Sequence, residues 1–252
     1  MDRPSPEMLE AMRRRGMTER RLSVTAADQL TPHMRRITLT VAGDEPFEPR
    51  AGQDLIMLLP DGAGGLGRRH YTIRSYRPDG REVDIDFVIH SRSTPGARFA
   101  LEAAPGQEVI AFGPRGRNVI QPGADWRLFV GDETCIPAIF AMLEELPDGA
   151  RAHSIIEVAG PEERQSLDVA GASIDWIFRG GPAQPSSPAL IEALAARELP
   201  AGHGHVYVLG ETSTIRRQRH DLLARGLAKE QIFGEGYWRP GRVGGHDHLA
   251  EH

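Results

Sequence analysis

The sequence predicts a two-domain protein: an N-terminal six-stranded antiparallel β-barrel followed by an α/β domain with a doubly wound parallel sheet. Three observations carry that reading. Between Arg21 and Phe112, short apolar runs recur with proline and glycine between them, the pattern of a closed antiparallel barrel of about six strands. After Gly123 strand-like and helix-like stretches alternate, which implies a parallel sheet with helices on its faces. Between them lies the run Arg68–Arg77, with four arginines around Tyr71, Thr72, Ile73 and Tyr76.

The elements follow in order. Ser5-Pro6 reads as a helix cap with proline in the first turn, and Met8, Leu9 and Met12 share one stripe of a short amphipathic helix. That helix docks either on the body of the chain or on a second subunit. Ile37, Leu39 and Val41 alternate with polar residues after Pro32, and Leu55–Leu59 form an apolar run between Gly52 and Pro60. Val83, Ile85, Phe87 and Ile89 form a further alternating run that includes Asp84, Asp86 and Val88, and Val109–Phe112 follow Pro105-Gly106. Asp61–Gly67 is a glycine-rich loop just upstream of the arginine run. Beyond Gly123, strands are expected at Leu128–Val130, Ser154–Val158, Ile174–Phe178, His205–Leu209 and Ile232–Trp238. Helices are expected at Pro137–Leu146, Pro188–Arg197 and Ile215–Arg225. The expected domains are a helical extension over 1–18, a barrel over 19–123, a nucleotide domain over 124–242 and a flexible tail over 243–252, with the break near Pro122–Asp125.

Composition excludes several classes. The formal net charge of −5 over 252 residues gives no global signal for nucleic acid or an anionic membrane. No apolar run spans a bilayer and the first residues lack an apolar signal core, so a cytoplasmic location is expected. The single cysteine, Cys135, excludes an internal disulfide and a cysteine-ligated zinc or iron–sulfur centre within this chain. His246, His248 and His252 fall in a polar tail, so no metal site is expected.

The chemistry concentrates at two places. Arginine forks onto phosphate oxygens, and tyrosine and threonine add hydrogen bonds with little side chain to order. Arg69-His70-Tyr71-Thr72-Ile73-Arg74 therefore suits a phosphate-bearing aromatic cofactor; the alternative is a basic edge strand guarded against aggregation. Downstream, Thr94 is placed to cap a helix with Pro95 in its first turn, leaving the amides of Gly96 and Ala97 to point outward at an anion. The second place is Gly131-Asp132-Glu133-Thr134 and its counterpart Gly210-Glu211-Thr212-Ser213, each at a strand-to-helix junction where doubly wound sheets bind ligands. The Gly131 junction is not a GxGxxG fingerprint, and Glu133 and Glu211 also suit a plain dipole-capping role. Cys135 reads as a small buried residue, the alternative being a thiol near the reacting ring. Trp238 reads either as core or as an aromatic wall for a planar cofactor.

Together, Arg69–Arg74, Asp86-Phe87-Val88-Ile89-His90, Gly131–Thr134 with Pro137-Ala138-Ile139, and Gly236-Tyr237-Trp238-Arg239 resemble the siderophore-interacting protein family of the ferredoxin–NADP reductase superfamily. The resemblance runs from about Leu22 to Arg242. It implies a flavin-dependent ferric-siderophore reductase with FAD in the barrel and NADPH or NADH as donor; reduced ferredoxin is an alternative donor. It implies cofactor contacts at Arg69, Tyr71, Thr72, Ile73, Asp86, Val88, His90, Thr94, Pro95, Gly96, Ala97, Gly131, Asp132, Glu133, Thr134, Gly210, Glu211 and Trp238, with Thr72 and Tyr71 nearest the chemistry. Arg74, Arg115 and Arg242 are the expected rim for the ferric siderophore. Two departures stand out: the family's Gly-x-x-Gly-Pro-Ala-x-x-Trp reads Ser91, Thr94, Pro95, Gly96 and Phe99 here, and a frequent family lysine is Ile56. The protein is expected to be a monomer or weak homo-oligomer without nucleic-acid or membrane partners. The competing readings are a related flavin reductase acting on a protein or on free flavin, and a non-catalytic siderophore-binding module.

Overall fold

A computed structural model describes residues 6–62 and 64–241, together with the backbone of 247–248. Ser5, Arg242, His246, His252 and the side chain of His248 lie outside the described residues. The chain divides into two compact units, Met1–Val119 and Ile120–His252.

The first unit is built on a seven-stranded antiparallel sheet. Its strands are β1 (Glu19–Thr31), β2 (Met34–Val41), β3 (Asp54–Pro60), β4 (Leu66–Thr72), β5 (Ser75–Arg77), β6 (Glu82–Val88) and β7 (Glu108–Arg115), in the order β4-β3-β7-β1-β2-β6-β5. The sheet curls around one core of Leu22, Leu39, Leu55, Met57, Ile85 and Phe87. Tyr71 of β4 and Tyr76 of β5, near its two ends, pack on that same core. The expected six strands become seven because the arginine run is broken. Ile73 and Arg74 form a corner between β4 and β5, their amides donating to Gln53 O and Asp84 O at 2.9 Å each.

Alternation predicts that Asp84 and Asp86 face water, yet both are buried. Arg36 grips Asp86 with two bonds of 2.7 and 2.8 Å. Asp84 accepts from Thr38 Oγ1 (2.8 Å), Ser75 Oγ (2.7 Å) and both Arg77 amino groups (2.6 and 3.0 Å). Burial alone would raise the Asp84 pKa, but the bonds from Arg77, Ser75 and Thr38 outweigh it and hold it at about 2. A polar residue in a strand marks the solvent face only where no partner follows it inside.

The N-terminal helix α1 (Pro6–Arg14) docks on the barrel unit itself. Its buried Met12 joins Ile56, Leu58 and Phe112 in a cluster on the outer face of β3 and β7, with Met8 and Leu9 alongside. Ile56, where the resemblance expects lysine, is therefore an apolar contact under a helix. Helix α2 (Pro95–Glu102) follows β6 and buries Ala97, Phe99 and Ala100 on the barrel core.

The second unit has five parallel strands, β8 (Trp126–Asp132), β9 (Arg151–Val158), β10 (Ala172–Phe178), β11 (Gly204–Glu211) and β12 (Ile232–Trp238), in the order β10-β9-β8-β11-β12. The two-residue β13 (Asp247–His248) adds antiparallel to β12. Central strands β8 and β11 are buried along their whole length, as strands covered on both faces must be. Three helices connect them: α3 (Ile136–Glu144), α4 (Pro188–Ala196) and α5 (Thr212–Ala224). Leu190 and Leu194 of α4 and Ile215 and Leu222 of α5 pack on Leu128, Val130, Val206 and Val208. The alternate residues Phe129, Tyr207 and Phe233 stack with centroids 4.9 and 4.8 Å apart.

Candidate flavin and nucleotide sites

In the barrel unit, β4 pairs with β3 so that Arg69 lies opposite Met57, His70 opposite Ile56, Tyr71 opposite Leu55 and Thr72 opposite Asp54. Since side chains alternate across a strand, Arg69, Tyr71 and Ile73 share one side and His70 and Thr72 the other. The motif is thereby split into two neighbouring clusters.

On the first side, the Tyr71 ring packs on Phe87 at 4.2 Å, and Phe87 packs on Phe99 of α2 at 5.5 Å. The Tyr71 hydroxyl reaches the first turn of α2 at Gly96, where an added Cβ would fall 1.6 Å from it. Only glycine allows that approach. Burial pushes the Tyr71 phenol pKa up, against the pull of the Arg69 guanidinium, so the hydroxyl stays protonated at neutral pH. Arg69 folds back along its strand, donating to Arg68 O at 2.8 Å, and Gly67 leaves room for it.

Thr94 caps α2 as expected, but it accepts from Ala97 N at 3.4 Å. This corrects the expectation that the Gly96 and Ala97 amides both face outward. Both residues are buried, and a cap hydroxyl three residues away is the nearer acceptor for the Ala97 amide. The Asp86 carboxylate is taken up by Arg36. Val88 ends β6 half-buried, and His90 lies exposed in the turn before α2. Arg98, which the sequence reading passed over, stands one turn into α2 against Gly62, its Nε buried and without a partner.

On the second side, Thr72 is buried beside a cluster that was also not foreseen. His70 Nδ1 lies 2.6 Å from Asp54 Oδ2, and Arg115 Nη1 lies 3.4 Å from the same oxygen and 3.0 Å from His70 Nδ1. One carboxylate oxygen thus meets both the His70 ring and the Arg115 guanidinium. Arg115 joins Thr72 here, while Arg74 belongs to the β4–β5 corner. The signal was available as an acidic residue opening an apolar strand, but only the β3–β4–β7 register pairs it with His70 and Arg115.

In the α/β unit, Asp132 ends β8 and is the hub of the nucleotide junction. Its Oδ1 accepts from Thr134 N at 2.9 Å and from the Thr134 hydroxyl; its Oδ2 accepts from Trp238 Nε1 at 2.8 Å and Glu211 N at 3.1 Å. Burial and the Glu133 charge push the Asp132 pKa up, while bonds from Thr134 and Trp238 pull it back. Gly210, at φ +116°, is needed because a Cβ there would sit 2.5 Å from Asp132 Oδ2. Glu133 forms a two-pronged pair with Arg179 (2.7 and 2.5 Å).

Glu211 caps α5, accepting from Ser213 N (2.9 Å), Thr214 N (2.8 Å) and Ser186 N (2.9 Å). Burial would raise its pKa, but those amide bonds win and lower it. Glu211 thus caps its own helix. Cys135 is buried against Gly131 and Gly210; burial and the Asp132 charge push its thiol well up, so it is no nucleophile. Among the described residues no group of histidine, cysteine and acidic side chains could hold a metal, and no helix is long and apolar enough to cross a membrane.

The residues of the barrel cluster fit FAD. They offer guanidinium and hydroxyl donors, an aromatic ring, a glycine under that ring's hydroxyl and an unpartnered buried arginine nitrogen. The comparisons with known proteins agree. Residues 60–118 match the siderophore-interacting FAD-binding domain and residues 124–241 match the siderophore-interacting protein profile. A siderophore utilization protein from T. fusca has the same fold (TM-score 0.82, 32% identity, covering 93% of this chain and 97% of that one). The ferric vibriobactin reductase ViuB of Vibrio cholerae is 32% identical over 180 residues, 69% of this chain and 65% of its own. The NADPH-dependent ferric-chelate reductase of Escherichia coli is 26% identical over 201 residues, 77% and 75% of the two chains. Matched over both units, the chain belongs to the siderophore-interacting protein family.

Proposed function

We propose that this protein is a flavin-dependent reductase of ferric siderophores, taking electrons from NADPH or NADH and releasing iron as Fe(II). The observation that carries the reading is the meeting of the Arg69–Tyr71–Thr72 strand with the first turn of α2, where the Tyr71 hydroxyl lies over Gly96. Bound FAD supplies what the side chains lack, an exchange between a two-electron hydride donor and a one-electron ferric acceptor.

The chain's own residues bind, orient and shield. Arg69, the Thr94 hydroxyl and the α2 turn would hold the diphosphate; Tyr71, kept neutral by burial, would flank the ring system, and Thr72 would border the reacting edge. Ile73, Val88 and Pro95 contribute backbone and packing. Arg74 and Arg115 make the cationic rim for the siderophore, Arg115 braced by Asp54. Ile56 under α1 adds no charge there, so the rim is less basic than the family's lysine would make it. In the α/β unit, Trp238 held by Asp132 offers an aromatic surface to the donor. The helix starts at Asp132 and Glu211 are capped by their own carboxylates and do not serve as anion holes.

Anaerobic titration of the FAD-reconstituted protein with NADPH, NADH and reduced ferredoxin in parallel tests the reading. The yellow protein bleaches with a nicotinamide donor, and a ferric siderophore then restores the colour while ferrozine traps Fe(II). A colourless protein after reconstitution refutes it. Thr72→Ala slows bleaching by the nicotinamide donor; an unchanged rate removes Thr72 from the chemistry.

A further inference from the structure

We propose that Arg98 is a cationic ligand of the FAD diphosphate, acting from α2; the inference rests on the flavin reading above. Arg98 lies four residues beyond the cap Thr94 and donates its backbone N–H to Thr94 O at 2.9 Å, so the two share a helix face. Helical side chains lean toward the N-terminus, so the guanidinium leaves α2 on the side of its first turn. The guanidinium lies over the loop before β4: a Cβ at Gly62 would sit 2.7 Å from Nη2 and 3.3 Å from Nη1.

Within that loop the Asp61 amide donates to Gly65 O at 2.9 Å, and Asp61 Oδ1 accepts from Gly65 N at 3.0 Å. Arg98 Nε is buried and has no hydrogen-bond partner. In the same barrel Arg36 is anchored on Asp86 and Arg77 on Asp84, while Arg35 Nε on β2 is likewise buried without a hydrogen-bond partner. A half-buried guanidinium with an unpaired nitrogen carries a desolvation cost that an anion placed before it would offset. The diphosphate of FAD is an anion of the right kind, and arginine meets phosphate oxygens with paired, charge-assisted bonds.

Flavin-fluorescence titrations of the apoprotein with FAD and with riboflavin decide the matter. Arg98→Ala weakens FAD about tenfold or more, as loss of a charge-assisted bond does, and leaves riboflavin affinity unchanged. It also flattens the salt dependence of FAD binding. Arg98→Lys retains part of the affinity, and Gly62→Ala, whose methyl displaces the guanidinium, reproduces part of the loss. Equal FAD affinity in wild type and Arg98→Ala, or an equal loss for FAD and riboflavin, overturns the assignment. Failure of the wild-type apoprotein to bind either flavin would instead sink the flavin reading itself.

Discussion

Replacing Gly96 by alanine puts two opposed effects on one position, and the sign of the outcome tells which wins. Gly96 lies in the first turn of α2, where alanine in place of glycine ordinarily gains up to about 1 kcal/mol of helix stability. Here the new Cβ would lie 1.6 Å from the Tyr71 hydroxyl and 2.9 Å from Cζ. Restoring ordinary contact requires the hydroxyl to retreat by roughly 2 Å. The ring cannot do so freely, because it is backed by Phe87 at 4.2 Å, which is backed by Phe99. Overpacking of this kind costs about 1–3 kcal/mol, larger than the helix gain. We therefore expect a net loss of about 1–2 kcal/mol in urea melts of the apoprotein, with weaker FAD binding as Tyr71 is displaced. Tyr71→Phe removes the closest atom, so the double variant should recover part of the loss, with a coupling energy of about 0.5 kcal/mol or more. A Gly96→Ala protein more stable than wild type, with FAD affinity intact, refutes the close approach and with it the Tyr71–α2 cluster.

Asp84 makes a pH prediction. Its folded pKa of about 2 lies below the ordinary carboxylate value, so its network stabilises the barrel unit fully above about pH 4 and fades as pH falls toward 2. The contribution is on the order of 2 kcal/mol, and Asp84→Asn should lower the urea midpoint at pH 6 while flattening the fall between pH 4 and 2. An unaltered acid limb would remove Asp84 from the account. In the α/β unit, Asp132→Asn turns an amide N–H toward donors that now point at carboxylate oxygens. It should cost about 1–3 kcal/mol and free the Trp238 indole, read as a red-shifted, more quenchable emission. Unchanged tryptophan emission would mean that Asp132 does not hold the indole.

Much of the fold was legible because it depends on local periodicity. The strand Ile232–Trp238, the cap at Thr94 with Pro95 after it and the helix start at Pro188 are all local signals, and they stand where the sequence puts them. The extra strand β5 was not legible, since the corner at Ile73–Arg74 is made by bonds to Gln53 and Asp84, both distant in sequence. Nor was the burial of Asp84 and Asp86, because their partners Arg77, Thr38 and Arg36 reach them only across the sheet.

The site divides the same way. That Arg69, Tyr71 and Thr72 follow one another in one strand, and that a glycine follows the cap of the next helix, is determined by the sequence alone, since neighbours along a chain carry their own chemistry with them. That Gly96 must be glycine, that Asp54 binds His70 and Arg115, that Glu211 serves its own helix and that Arg98 stands unpaired over Gly62 were decided only by the tertiary structure. Each is a meeting of residues from separate segments, and such meetings depend on register, burial and distances of a few ångströms.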